Sequence, residues 1–191
     1  MLESMKYQML LDEGYSAIRR GDPEAALNHF RRACESYPDR PQAYFAVAVA
    51  SLEQNDGDQA IEALQKALAV DPTYAIARAY LGVEYLKRHR LSEAQQELDQ
   101  ALADAPHDLL VHIKYAEYYF RLGFYHRSVE MLEKGLKGPH HAKEHVVLMA
   151  RQLLTQARQK CKSIVLRDPP DPRHLLRFLS PFWRRRKRVL A

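Results

Sequence analysis

Apolar and small residues return along this chain at a fixed interval. Gly14, Ala48, Gly82, Ala116 and Ala150 stand 34 residues apart. Ala26, Ala60 and Ala94 keep the same spacing with Ser128 in fourth place, as do Ala33, Ala67 and Ala101 with Gly135 fourth. Between those columns a large apolar residue recurs as Phe30, Leu64, Leu98 and Leu132, and a turn proline as Pro38, Pro72 and Pro106. Several columns in phase identify an internal repeat, and a period of this length predicts a solenoid whose units contact only their neighbours. The fourth unit drifts, with Pro139 one place early and His140 where the proline is due, as suits a terminal unit with a different neighbour.

Each unit reads as two short helices. In the second unit, Tyr44, Val47, Ala48 and Ser51 fall at i, i+3, i+4 and i+7, on one helical face. Asn55-Asp56-Gly57-Asp58 interrupts the pattern, and Ala60, Leu64 and Ala67 resume it. Asp71-Pro72 then ends the second helix, because proline disfavours helical conformation in the residue before it. Small residues facing each other let the paired helices approach closely while one bulky side chain fills the remaining gap. One such hairpin cannot bury its apolar face alone, so it needs neighbours. No strand-like alternation of useful length appears, and the expected fold class is all-α.

The small residue of the first helix, the alanine and large apolar residue of the second, and the closing proline together resemble the tetratricopeptide repeat. Gly14, Ala26, Phe30, Ala33 and Pro38 carry the likeness in the first unit, and Gly82, Tyr85, Ala94, Leu98, Ala101 and Pro106 in the third. Tyr44 stands where the family favours an aromatic early in the first helix, whereas Leu10, Arg78 and His112 depart from it. The likeness covers roughly residues 5–140. It implies a tetratricopeptide-type α-solenoid of four helix-turn-helix repeats over about 7–40, 41–74, 75–108 and 109–142. A further helix over about 142–165 resembles the family's terminal capping helix. The expected organisation is thus a solenoid with its cap over 1–166, a proline-rich linker over 167–172 and a tail over 173–191.

Charge changes this picture at the C-terminus. From residue 173 onward Arg173, Arg177, Arg184, Arg185, Arg186, Lys187 and Arg188 are unopposed by any acid, so the formal total of +5 leaves residues 1–172 slightly acidic. The pI of about 9.2 therefore belongs to the tail rather than the solenoid. Asp168-Pro169-Pro170-Asp171-Pro172 separates the two as a semi-rigid spacer. Within the tail, Leu175, Leu176 and Leu179 share a helical face bordered by Phe178, and Phe182-Trp183 precede the basic run. Rings beside a cationic cluster suit an anionic membrane interface, where each nearby cation adds about 1 kcal/mol. They also suit nucleic-acid phosphates with Trp183 stacked on a base, insertion into a protein groove, or plain solvation.

The resemblance also places the binding surface. Tetratricopeptide proteins line their concave side mainly with the first helix of each repeat. That face here carries Gln8, Leu11, Asp12, Tyr15 and Arg19, then Gln42, Phe45, Val49 and Leu52. The third and fourth repeats add Ile76, Tyr80, Val83 and Lys87, then Ile113, Lys114, Glu117, Phe120 and Arg121. Such an apolar and aromatic strip suits an amphipathic helix or an extended apolar segment, with Tyr15, Phe45, Tyr80 and Phe120 as anchors. Chaperone-binding members clamp a peptide carboxylate with lysine, arginine and asparagine. Leu11, Tyr15, Ala46, Ile76 and Tyr80 occupy the corresponding places here, so that clamp is absent.

Other chemistry is sparse. His141-Ala142-Lys143-Glu144-His145 spells H-x-x-E-H, but no glutamate follows Glu144 to complete a zinc site, and Glu144 also suits a helix start. Cys34 and Cys161 lack metal-type spacing and read as small buried hydrophobes. Gly-x-Ser-x-Gly and a phosphate-binding glycine loop are missing, so no enzyme, cofactor or metal is expected. The start, with acid near the terminus and no uninterrupted apolar stretch, resembles neither a secretory signal nor a transit peptide, which makes the cytoplasm the expected compartment, with peripheral membrane attachment through the tail. The expected function is a protein-binding adaptor or scaffold. Self-assembly, with the tail of one copy in the groove of another, and nucleic-acid binding by the tail stand as alternatives.

Overall fold

In a computed structural model, which describes residues 2–139 and 141–165, the chain folds as nine α-helices with no strand among the described residues. Four hairpins follow one another. They are α1 (Leu2–Arg19) with α2 (Pro23–Ser36), α3 (Pro41–Glu53) with α4 (Gly57–Val70), α5 (Ala75–Lys87) with α6 (Leu91–Asp104), and α7 (Leu109–Arg121) with α8 (Tyr125–Lys137). A longer helix, α9 (Glu144–Val165), packs against both α7 and α8. Hairpins that pack each on the next in this way form an α-solenoid.

The repeat columns become the core. Phe30, Leu64, Leu98 and Leu132 are each wholly buried, as are Ala26, Ala60, Ala94 and Ser128 around them. Their purpose is geometric. A methyl group added at Gly14 would lie 2.2 Å from the Phe30 ring, and one at Gly82 would lie 2.9 Å from the Ala94 carbonyl oxygen. The paired helices therefore touch nearly backbone to backbone, and the bulky second-helix residue fills the space left by the small first-helix one.

Each first helix stops in the same way. The amides of Asp22, Asp56, Arg90 and Phe124 reach back to the carbonyls of Ala17, Ser51, Tyr85 and Tyr119, at 2.9 to 3.0 Å. This six-residue closure requires a left-handed residue just before the donor. Gly21 (φ 77°), Asn55 (59°), His89 (60°) and Gly123 (81°) fill that place. Asp22 and Asp56 then cap the following helices, accepting from the amides of Ala25 and Gln59 at 3.0 Å. Arg90 in the third repeat has no such bond and instead pairs with Glu93 while lying 4.1 Å over the Tyr85 ring.

Polar ties fix one repeat against the next. Gln65 donates to the Tyr85 hydroxyl at 3.2 Å, the Tyr115 hydroxyl donates to Asp99, and Arg158 on α9 donates to Glu133 on α8 at 2.7 Å. Two of the positions that lack the family's aromatic are partnered otherwise. Arg78 pairs with Glu97 at 2.9 Å and Asp104 at 3.4 Å. His112 is buried, with Nε2 3.0 Å from the Pro106 carbonyl and Nδ1 3.1 Å from the Met131 sulfur. A carbonyl only accepts, so Nε2 carries the proton.

Candidate partner-binding groove

The first helices of the repeats form a continuous row. α1 packs on α3, α5 on α7 and α7 on α9, and Phe45 of α3 meets Tyr80 of α5 edge to face at 5.2 Å. Of the residues expected to line this row, Leu11, Val83 and Ile113 are buried, within 7% exposure, and serve as its floor. Tyr15, Phe45, Val49, Leu52, Ile76, Tyr80, Lys114, Glu117 and Phe120 are half-buried, while Gln8, Asp12, Arg19, Gln42, Lys87 and Arg121 are exposed.

The four aromatic anchors are held rather than free. Tyr15 meets Phe30 at 5.1 Å, Phe45 also meets Tyr74 at 5.6 Å, and Phe120 meets Tyr125 at 5.2 Å, all edge to face. Such pairs fix ring orientation and contribute roughly 0.5–1.5 kcal/mol each beyond area burial. Burial raises the Tyr15 phenol above its ordinary value, so it stays neutral at physiological pH.

The row residues of α3 carry no charge, and charge returns from α5 onward. Lys114 Nζ sits 4.1 Å over the Tyr80 ring and 3.2 Å from Glu117, and Arg121 lies 2.8 Å from the other Glu117 oxygen. Burial alone would raise the Glu117 carboxyl, but the two cations outweigh it and hold the group below the usual carboxylate range. Glu117 is thus ionised and doubly paired. Lys87, at the C-terminal end of α5, pairs with the buried Glu84 at 2.6 Å.

Beyond Phe120 the row opens into a cleft of about 630 Å³ between α7 and α9. Ile113, Lys114, Glu117, Phe120 and Arg121 form one wall with Tyr125; Met149, Gln152, Leu153, Gln156 and Lys160 form the other. The α9 wall lies beyond what the repeat pattern places. Its signal in the sequence is the fifth member of the small-residue column, Ala150, which is wholly buried and marks α9 as standing where the first helix of a fifth repeat would. At the opposite end of the row, Met5 and Met9 of α1 are exposed beside Asp12 and Glu13, and Asp12 accepts from Gln8 at 3.0 Å.

The remaining candidates lie apart from the row. α9 begins at Glu144, so His141 precedes the helix that carries His145. Among the described residues no three His, Cys, Asp or Glu side chains gather as a metal-binding group. Cys34 and Cys161 are half-buried free thiols, and burial pushes Cys34 up to about 11. Among the described residues no helix is long and apolar enough to cross a membrane. The tail anchor, Leu175, Leu176, Phe178, Leu179, Phe182, Trp183, Arg184, Arg185, Arg186, Lys187 and Arg188, lies outside the described residues.

Comparison with known proteins agrees with this architecture. Two tetratricopeptide repeat family profiles match residues 11–75 and 51–118, together more than half of the chain. The mouse interferon-induced protein with tetratricopeptide repeats 3 is 28% identical over 129 residues, 66% of this chain and 32% of that protein. A photosystem I assembly protein of Prochlorococcus marinus is 30% identical over 91 residues, 46% of this chain and 53% of that protein. The chain thus spans between about a third and a half of the length of these two relatives. Among solved structures, a tetratricopeptide repeat protein of Thermus thermophilus superposes with a TM-score of 0.66 at 21% identity, covering 93% of this chain and 99% of that one. The pilF protein of Pseudomonas aeruginosa gives 0.63 at 24% identity, covering 97% and 88%.

Proposed function

The chain belongs to the tetratricopeptide repeat family, and on that basis we propose that it is a non-enzymatic adaptor that holds a segment of a partner protein along its first-helix row. One observation carries this reading. Tyr15, Phe45, Tyr80 and Phe120 stand half-buried on four successive first helices, each fixed by a neighbouring ring, and the row ends in an open cleft with an apolar floor. Aromatic side chains that are already oriented lose little conformational freedom on binding, which makes them effective anchors. The proposed role of residues 173–191 is to tether the complex to an anionic membrane surface or a larger assembly, on the strength of their seven cations and interspersed rings. Two relatives are named for assemblies, an anaphase-promoting complex subunit of Arabidopsis thaliana and the photosystem I assembly protein, which supports an assembly role without naming the partner.

Affinity capture and vesicle sedimentation, each with the full chain and with residues 173–191 removed, test both halves. The expected outcome is that the shortened chain retains its protein partners and loses recovery with anionic vesicles. Equal vesicle recovery of the two chains sinks the tether, and loss of every partner on tail removal sinks the groove as the partner site.

A further inference from the structure

We infer that the cleft between α7 and α9 takes an acidic partner segment, one that seats an apolar anchor between Phe120 and Met149 and turns a carboxylate toward Arg121 and Lys160. The inference rests on the groove reading above and adds the chemistry of the occupant. The floor supplied by Ile113, Phe120, Met149 and Leu153 is apolar, whereas the rim carries Lys114, Arg121 and Lys160 against a single carboxylate, Glu117. That carboxylate is already committed to both Lys114 and Arg121, at 3.2 and 2.8 Å. The cleft therefore keeps a surplus of positive charge beside an apolar surface. An incoming carboxylate gains attraction there, whereas a cationic segment meets repulsion.

The same surplus bears on the chain's own tail as an occupant. Residues 173–191 carry seven cations and no acid. A like-charged tail is the wrong complement for this end of the row, so self-assembly through tail and cleft is disfavoured. At the other end, on α1, Asp12 and the neighbouring Glu13 outnumber the one cation there, Arg19. The row is thus polarised along its length, and the polarity fixes the direction in which an occupant with one acidic end lies.

A random peptide library displayed on phage, panned against the full chain at low salt, supplies the probe. A recovered peptide, synthesised with a fluorescent label, is then measured by anisotropy against four proteins. These are the parent, Met149→Ala, the pair Arg121→Gln with Lys160→Glu, and Arg151→Glu. Met149, Arg121, Lys160 and Arg151 are all exposed, so the substitutions leave the core packing untouched. Arg151 lies on α9 outside the cleft and controls for overall charge. The expected result is enrichment of peptides with Asp or Glu beside an aliphatic or aromatic residue, with binding about tenfold weaker in the cleft pair and near parental in Arg151→Glu. Binding should also weaken as salt rises. Neutral or basic winners that still lose affinity in Met149→Ala overturn the acidic occupant and leave the groove standing. Winners that bind Met149→Ala and the cleft pair as well as the parent, or no enrichment at all, overturn the groove reading itself.

Discussion

At the scale of single residues, His112 and Gly135 belong to one device. The other repeats place alanine at the position of Gly135, but a methyl group there would lie 2.7 Å from the His112 Cβ. Glycine is what lets α8 come this close to α7 at His112, whose Cγ would lie 2.8 Å from the same methyl. Gly135→Ala should therefore cost about 1–3 kcal/mol, the range for overpacking a core. The nearest obstacle is a Cβ, which alanine would keep, so the relieving background is His112→Gly, where the cost should shrink by at least about 0.5 kcal/mol, a coupling that urea denaturation of the four-member cycle measures. Equal costs in both backgrounds would show that Leu109, 3.0 Å away, is the true obstacle.

Burial also pushes the His112 imidazole below its ordinary 6.5, opposed by the Pro106 carbonyl, the Met131 backbone and Asp108 and helped by Lys134. Between 6.5 and the lower native value, the unfolded chain holds a proton that the folded chain lacks. Stability must then fall as pH drops through that window, with no contribution from this group above it. The denaturation midpoint should decline on moving from neutral pH into that window. It should decline less in His112→Ala, and identical slopes would remove His112 as the cause.

At the scale of elements, the turn between paired helices is the repeating joint. Its left-handed place is filled by glycine in the first and fourth repeats, by Asn55 in the second and by His89 in the third. A residue with a Cβ carries a cost of roughly 1–2 kcal/mol in that conformation, less for asparagine than for most. Glycine removes the strain but gives back part of it through the entropy of the unfolded chain. His89→Gly should thus stabilise the protein by several tenths to about 1 kcal/mol, and Asn55→Gly by less. Thermal unfolding of the two variants checks the order; a loss of stability in His89→Gly would mean that the imidazole makes a contact worth more than the strain. The column Gly21, Asn55, His89, Gly123 stands in the sequence at the repeat spacing. It is hard to read there because histidine does not advertise a turn, and only the backbone angles show that it takes a glycine's place here.

At the scale of the whole molecule, α9 is the piece on which both stability and the site depend. Ala150 and Leu154 complete a core cluster with Leu109, Ile113, Ala116 and Leu132. A solenoid needs such an end, because each repeat leaves an apolar face for the next. Ending the chain before Glu144 should uncover the part of that cluster on which α9 packs, at up to about 1.5–3 kcal/mol for each leucine or isoleucine fully bared, and promote association through the α7–α8 face. Light scattering and thermal unfolding should record a larger mass and a lower midpoint. A monomer of unchanged stability would show that the four repeats are sufficient without their cap. The same helix supplies one wall of the cleft, so truncation should also abolish binding there.

The repeat, its length, its hairpins and its core columns are all legible in the order of residues. Phe30, Leu64, Leu98 and Leu132 stand out because every repeat solves the same packing problem with the same spacing, and local periodicity reports burial whenever one face points inward. Which first-helix residues are floor and which are surface is a matter of tertiary packing. Leu11, Val83 and Ile113 share a helical face with Tyr15, Tyr80 and Phe120, yet the former are buried and the latter only half so. A helix in a solenoid is packed by its own partner and by both neighbouring repeats, so the stripe left open depends on how those neighbours lean, which no single-helix period encodes. The cleft is the clearest case, since its two walls lie on α7 and α9, and their approach is set by the packing of α9 on α8.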